Sequence, residues 1–452
     1  MSMGIDLVRE EALKILYDIN QKGAYSNISI NKYLEGHDLR DIDKAFITDL
    51  VYGTVRWKLS IDWVIEQFSS VKLKKISPWI LNILRLGAYQ LLYTQKVPES
   101  AACNESVSLS RKYGHEVSSR YVNAVLRNIS RKKTEIKYPD IDSEYPLYLS
   151  VRYSHPEWLV REWLERFGNA FTEGLLAANN EQSDFIIRAN LLRTTREGLI
   201  EELKREGIEA SEGRYSDEAV IIKNPAFLFK SNAFSKGLFQ VQDESSILAG
   251  RILNPKPGDL TIDVCSAPGG KATHLAQIME NKGEVIARDI HPHKIKLIND
   301  SAKRLGTDIV HTELYDATRF DENLSGKADC VLVDAPCTGL GIIRKKPDIK
   351  WSKEAEDKKG ITELQFKILT VASGYLKNGG SLVYSTCTVE REENEGIVER
   401  FLEANRDFKP VDITSLIPEK LAKTSASQGY VQLYPNIDKT DGFFIAKLEK
   451  RG

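Results

Sequence analysis

Residues 260–274 read LTIDVCSAPGGKATH: a short apolar run, a loop of small residues, then a stretch with helical character. A strand feeding a tight glycine turn and a helix N-terminus is how open α/β sheets hold a small polar ligand at the carboxyl ends of their strands. This stretch constrains the fold more than any other, because it calls for a parallel sheet around it. The loop departs from G-x-G-x-x-G, and no G-x-x-x-x-G-K-[ST] occurs, which argues against dinucleotides and nucleoside triphosphates. Asp289 follows Gly270 by 19 residues and closes a second strand-like run, GEVIARDI, where an acidic side chain can accept hydrogen bonds from a ribose. A ligand with a ribose and a small charged end, needing no phosphate cradle, fits this pattern. S-adenosylmethionine has both features.

From about residue 236 to 450 strand-like and helix-like runs alternate. Strands are expected at 260–265, 284–289, 308–313, 329–334, 381–386 and 443–448. Helical stretches between the first five predict a doubly wound parallel sheet. The last run, GFFIAKLEK, follows a turn-like IDKTDG with no helix between, so it is expected to be antiparallel.

Residues 4–130 read as all helix, with Val8, Ala12, Ile15 and Ile19 on one face and WILNILRLGAYQLL (79–92) apolar nearly all round. Such a succession predicts a compact bundle. The charged stretch 131–146, with two prolines, reads as a linker. Residues 147–235 read as a small α+β module, with a helix at 156–168, strands at 185–192 and 219–223, and a helix at 195–206.

The chain of 452 residues carries a net charge of −1, which conceals an asymmetry. Residues 1–71 hold 8 Lys/Arg against 11 Asp/Glu, whereas residues 72–137 hold 13 against 4. A basic segment in a near-neutral chain is the footprint expected of a protein that meets a phosphate backbone, although a solvated helical face has the same composition. No 18-residue apolar run is present, so no membrane span is expected. Five cysteines without a C-x-x-C pair suggest a reducing cytoplasm and argue against structural zinc or a disulfide framework. His291-Pro-His293 has no partner cluster, and no metal is expected.

Two further stretches carry chemistry. ADCVLVDAPCTGLG (328–341) is a buried strand ending at Asp334 and followed by Pro336-Cys337, and SLVYSTCTVE (381–390) is a strand ending at Thr386-Cys387. Both thiols are therefore expected beside the 265–271 loop, at the carboxyl edge of the sheet. Cys103, Cys265 and Cys330 read instead as small buried hydrophobes, with Cys265 able to line the ligand pocket through its backbone. Carbon 5 of a cytosine is a poor nucleophile until a thiolate adds to carbon 6, so two cysteines at one edge suit that chemistry. Asp334 is the natural hydrogen-bond partner for ring nitrogen 3. From the residues alone, either thiol could attack. Asp289 and Asp316 are expected to contact the ligand, the competing reading being turn or cap residues.

IDVCSAPGGK, DAPCTGLG and STCTVE together resemble the RNA cytosine-C5 methyltransferases. RLGAYQLLY (85–93), VPESAACNESV (97–107) and YVNAVLRN (121–128) resemble the domain of the antitermination factor NusB. With QVQDESS (240–246) and RKKPDIKW (344–351), essentially the whole chain is similar to the small-subunit ribosomal RNA methyltransferase B family. The resemblance implies three domains: a NusB-like all-α bundle at 1–140, a small α+β RNA-binding module at 146–235, and a Rossmann-like class I methyltransferase domain at 236–452 with a mostly parallel seven-stranded sheet. It implies that Cys265, Ser266, Ala267, Pro268, Gly269, Gly270, Lys271, Asp289, Asp316 and Asp334 contact S-adenosylmethionine. It assigns attack to Cys387 and release of the adduct to Cys337, although DNA cytosine methyltransferases attack with the Pro-Cys thiol, here Cys337. Ser266 and Thr338 stand where relatives often have Ala and Ser. The implied substrate is a cytosine of 16S ribosomal RNA, position 967 in that RNA, gripped by the bundle, the small module and the basic Arg344–Lys353 loop. A monomer is expected. The rival readings are C5 methylation of another ribosomal or transfer RNA, and a non-catalytic RNA-binding or antitermination protein.

Overall fold

The computed structural model describes residues 6–35, 39–352 and 357–452. They form two compact units: one runs to Glu181 and takes back a segment starting at Ile343, and the other holds Gln182–Ile342 and the C-terminal remainder.

The first unit is helical. Asp6 caps its first helix, Leu7–Lys22, by accepting from the Val8 amide at 2.9 Å. The helix Pro78–Tyr93 is the axis, with Ile83, Leu84, Leu86 and Ala88 fully buried, as its nearly uniform apolarity predicts. Neighbouring helices come close because glycine leaves room. A Cβ at Gly53 would run into the Tyr89 ring, and one at Gly87 would lie 2.6 Å from Leu126 Cδ1. Helices Tyr145–Tyr153, Glu157–Phe167 and Asn169–Ala178 belong to this unit too.

The returning segment corrects one expectation. Arg344 and Lys350 are buried rather than offered to RNA. Lys350 donates to the carbonyls of Arg56 (2.9 Å) and Ser154 (2.7 Å), and burial holds its ammonium well below the ordinary lysine range. Lys346 is exposed, and Lys353 lies outside the described residues. A run of basic letters therefore became, in part, an internal strut.

The second unit carries two sheets. The smaller joins β1 (Phe185–Ala189), β2 (Ala210–Glu212), β3 (Ala219–Ile222) and β4 (Phe239–Val241) in the order β2-β3-β1-β4, all antiparallel. β2 and β4, at three residues each, are too short to show a period in the sequence.

The larger sheet contains β5 (Leu260–Asp263), β6 (Glu284–Asp289), β7 (Val310–Leu314), β8 (Ala328–Asp334), β9 (Leu376–Thr386), β10 (Phe408–Pro410), β11 (Tyr430–Leu433) and β12 (Phe443–Lys450). Its order is β10-β12-β9-β8-β5-β6-β7, with β11 also on β12. β5 to β9 are parallel, and β12 is antiparallel to β9 as expected. The sheet has eight strands rather than seven: β10 and β11 pair only with β12, and their short runs carry no distinct signal. A short helix, Pro435–Asp438, stands where a plain turn was expected. Apolar side chains cover both faces, with Leu275, Leu332 and Ile445 in one cluster and Ile262, Val333 and Phe444 in the other, so the strand ends are where polar groups collect.

Candidate active site

β5 ends at Asp263 and the chain turns through Ser266–Gly269 into the helix Gly270–Ile278. The Ser266 amide donates to the Arg288 carbonyl at 2.8 Å, which ties the loop to β6, and the Gly269 amide donates to the Ser266 carbonyl at 2.8 Å. Gly269 has φ of 97°, a left-handed conformation that favours glycine, and a Cβ there would meet Ile298 at 3.1 Å. Cys265, Ala267, Gly270 and Lys271 are partly accessible and Pro268 is exposed, so backbone and small side chains of the loop reach the surface.

Lys271, in the first turn of the helix, donates from Nζ to Asp334 Oδ2 at 2.7 Å, and Ser385 Oγ donates to Asp334 Oδ1 at 2.8 Å. The carboxylate at the end of β8 is thus held between the 265–271 loop and β9. Asp263 lies beneath it, fully buried. Burial, helped by the charge of Asp334, pushes the Asp263 carboxyl up to about 7. The Ser266 side chain, buried beside it, works the other way and favours the charged form.

Asp289 and Asp316 occupy the positions expected beyond β6 and β7, and both serve their local turns. Asp289 Oδ1 accepts from the His291 amide at 3.0 Å, and Asp316 Oδ1 accepts from the Thr318 amide at 2.9 Å and hydroxyl at 2.8 Å. In each case Oδ2 has only a distant cation, Lys294 at 3.7 Å or Arg319 at 3.6 Å. The turn role therefore leaves an oxygen for a ligand hydroxyl.

The thiols meet. Cys337 Sγ and Cys387 Sγ lie 3.1 Å apart, one beyond β8 and the other beyond β9. The thiol contact with Cys387, together with burial, pushes Cys337 well above the ordinary thiol range, and either sulfur can be the donor between them. The other three cysteines form no thiol pair: Cys103 is in the helical core, and burial raises Cys330 to about 12 and Cys265 as well.

Several residues that hold the thiols were not legible in the sequence. Glu393 accepts from the Thr338 amide (2.9 Å) and hydroxyl (2.5 Å) and from Gln365 Nε2 (2.9 Å), linking the loop after β8 to the turn after β9. Burial raises its carboxyl above the ordinary glutamate value. Asn394 accepts from Thr386 Oγ1 at 2.5 Å and donates to the Thr388 carbonyl at 3.1 Å. Within EREENE a run of acids looks like a solvated surface, and only the fold shows that Glu393 and Asn394 are fully buried. Gly341 and Gly442 complete the support: the Gly341 amide donates to the Cys387 carbonyl at 3.0 Å, and the Gly442 amide donates to the Gly341 carbonyl at 2.8 Å.

Comparison with known proteins places this arrangement. Residues 250–449 match the family model described as 16S rRNA methyltransferase RsmB/F, residues 7–131 match the NusB family, and residues 155–227 match the ferredoxin-like domain of RsmF/B-like methyltransferases. The chain is 37% identical over 449 residues to the probable ribosomal RNA small subunit methyltransferase B of Bacillus subtilis, covering 98% of this chain and 99% of that one. The chain belongs to the RsmB/F family. It is an RNA methyltransferase of the small-subunit ribosomal type. Among solved structures, PH0851 is similar over the full length of both chains, with 28% identity and a TM-score of 0.83. NSun6 of Pyrococcus horikoshii, crystallised with SFG, is similar over 66% of this chain and 98% of its own, with 26% identity and a TM-score of 0.58. Among the described residues no helix is long and apolar enough to cross a membrane.

Proposed function

We propose that this RsmB/F-type enzyme methylates carbon 5 of a cytosine in 16S ribosomal RNA, at position 967, through a covalent adduct with Cys387. The observation that carries the reading is the pair of thiols 3.1 Å apart at neighbouring strand ends, beside an aspartate bound to the loop lysine. Bound at the 265–271 loop, S-adenosylmethionine supplies an electrophilic methyl group. The loop backbone would hold it, with Oδ2 of Asp289 and of Asp316 free to accept from ligand hydroxyls.

The Cys387 thiolate adds to ring carbon 6, forming a C–S bond, while Asp334 acts at ring nitrogen 3, where a proton neutralises the negative charge that addition creates. Carbon 5, now enamine-like, would take the methyl as the bond to the sulfonium sulfur breaks and a neutral thioether leaves. A base then removes the proton from carbon 5, the C–S bond breaks, the Cys387 thiolate leaves and nitrogen 3 gives its proton back through Asp334. Cys337 is suited to the return half: its sulfur lies 3.1 Å from that of Cys387, within reach to pass a proton to the departing thiolate. The choice of Cys387 over Cys337 as the attacking group follows the resemblance of STCTVE and DAPCTGLG to the RNA cytosine-C5 methyltransferases. A methyltransferase acting on an exocyclic amine would have no need of two thiols here.

A transcript carrying 5-fluorocytidine at the target position tests the reading, because fluorine cannot leave as a proton does and the cycle stops at the adduct. A crosslink that maps to Cys387 is the expected result. Recovery of the crosslink at Cys337 would exchange the roles, and absence of any crosslink with methyl transfer intact would overturn the covalent route. The three-domain partition at 1–140, 146–235 and 236–452 is part of the proposal, the first two parts contacting RNA and the third carrying the chemistry.

A further inference from the structure

The stretch 131–146, linker-like in sequence, is pinned to the helical unit. Trp63 Nε1 donates to the Lys137 carbonyl at 2.8 Å, and Gln67 exchanges two bonds with the Lys137 backbone, at 2.9 and 3.0 Å. Held this way, it forms one wall of a cleft of about 450 Å³. That size lies in the range of ~300–1,000 Å³ usual for small-ligand sites. Four aromatic side chains line it, Trp57, Tyr93, Tyr138 and Tyr153, with Leu92 and Ile136 supplying apolar surface. The rings of Trp57 and Tyr93 are stacked, 4.4 Å between centroids and 14° between planes, and none of the four is fully buried. Two cations also line the cleft. The exposed Arg152 guanidinium lies 5.5 Å from the Tyr138 centroid, and Lys133 is only partly covered by its pairing with Glu99 at 2.6 Å.

Aromatic faces with cations beside them suit a ligand that is planar at one end and anionic at the other. A quaternary ammonium or methylated lysine would find rings but also two like charges. A duplex hides its base faces in the stack, so only an unpaired nucleotide offers both features. We propose that this cleft receives one unpaired nucleotide of single-stranded RNA, its base against the aromatic side chains and its phosphate toward Arg152 and Lys133. The proposal rests on the reading of RNA as substrate, and it adds a contact apart from the cytosine that is methylated. It also gives a role to the exposed Lys132 and Lys137, which flank the cleft-lining residues in sequence and favour a polyanion.

The test uses the full chain and fluorescence anisotropy with two probes of equal charge, a decamer of adenosines and an abasic decamer. Tyr138→Leu should weaken the adenosine decamer about tenfold, the loss of one stacked base, and the abasic decamer less than twofold. Tyr138→Phe, which keeps the ring, should bind both as the parent does, and Arg152→Gln should weaken both severalfold. Equal weakening of the two probes by Tyr138→Leu, or no weakening of either, overturns the proposal. Should Tyr138→Leu fail to fold, as thermal melting will show, Arg152→Gln at its exposed position decides, and an unchanged affinity there overturns the phosphate contact and the proposal with it. Adduct formation at Cys387 is read separately, so its absence with decamer binding intact overturns the proposed reaction and leaves the cleft standing.

Discussion

The carboxyl edge of the eight-stranded sheet and the cation-rich surface of the helical unit arrange their polar groups in opposite ways. At the sheet edge Asp334, Cys337 and Cys387 are held by buried partners such as Glu393, Asn394 and Ser385, each placed by a strand end or a tight turn. On the helical unit most of the cations of 72–137, among them Lys72, Lys74, Lys75, Arg111 and Arg120, stand in solvent. Arg85 is the contrast: it is buried against Asp62, with two bonds of 2.7 Å. A buried network concentrates function in single atoms, whereas an exposed charge field spreads it over many. Substitutions should therefore have steep effects at the first region and shallow, additive ones at the second.

The largest effect is expected at Cys387. Cys387→Ala should lower methyl transfer by more than about three orders of magnitude, measured with radiolabelled donor, as loss of a nucleophile does. Retention of a tenth of the activity would show that the edge does not concentrate function in this sulfur. Cys337→Ala should lower turnover by about 10² yet leave an RNA–protein adduct that survives denaturing electrophoresis. Equal loss without adduct would assign attack to Cys337.

Asp263 sharpens the comparison through pH. Its carboxyl titrates near 7 in the folded protein against an ordinary value of 3.8, because burial disfavours the charge. Between those values the folded state holds a proton that the unfolded chain has lost, so stability falls as pH rises through the window, by roughly 4 kcal/mol at most. Asp263→Asn should flatten the stability profile between about pH 4 and 7 in denaturant titrations. An unchanged slope would place the titration elsewhere. Gly341→Ala tests packing without charge: a Cβ there clashes with the Gly442 carbonyl oxygen, and the cost should be about 1–3 kcal/mol, read as a lower melting temperature.

The smallest effects belong to the basic face. Lys74→Gln and Lys75→Gln, both exposed, should each weaken RNA binding severalfold and reduce the salt slope by about one. A loss of a hundredfold from one of them would mean that this face is a built site after all and would blur the contrast.

The order of elements, the parallel core of the larger sheet and the neighbourhood of the two thiols could be read from residues 260–274, 328–341 and 381–390, because buried strands and glycine turns leave strong local patterns. β2, β4, β10 and β11 could not, since three or four residues show no period and their pairing is long-range. Arg344 and Lys350 misled for a related reason: letters report charge, and burial is a property of what packs around them.

By itself the sequence determined which residues stand at strand ends, and hence which groups could share an edge, because strand and turn propensities act between near neighbours. Tertiary structure alone decided that Cys337 and Cys387 touch, that Glu393 is buried beneath them, and that a charged linker lines an aromatic cleft. Contacts between residues far apart in the chain form only when the core closes, and so does the loss of water that raises the carboxyls of Asp263 and Glu393.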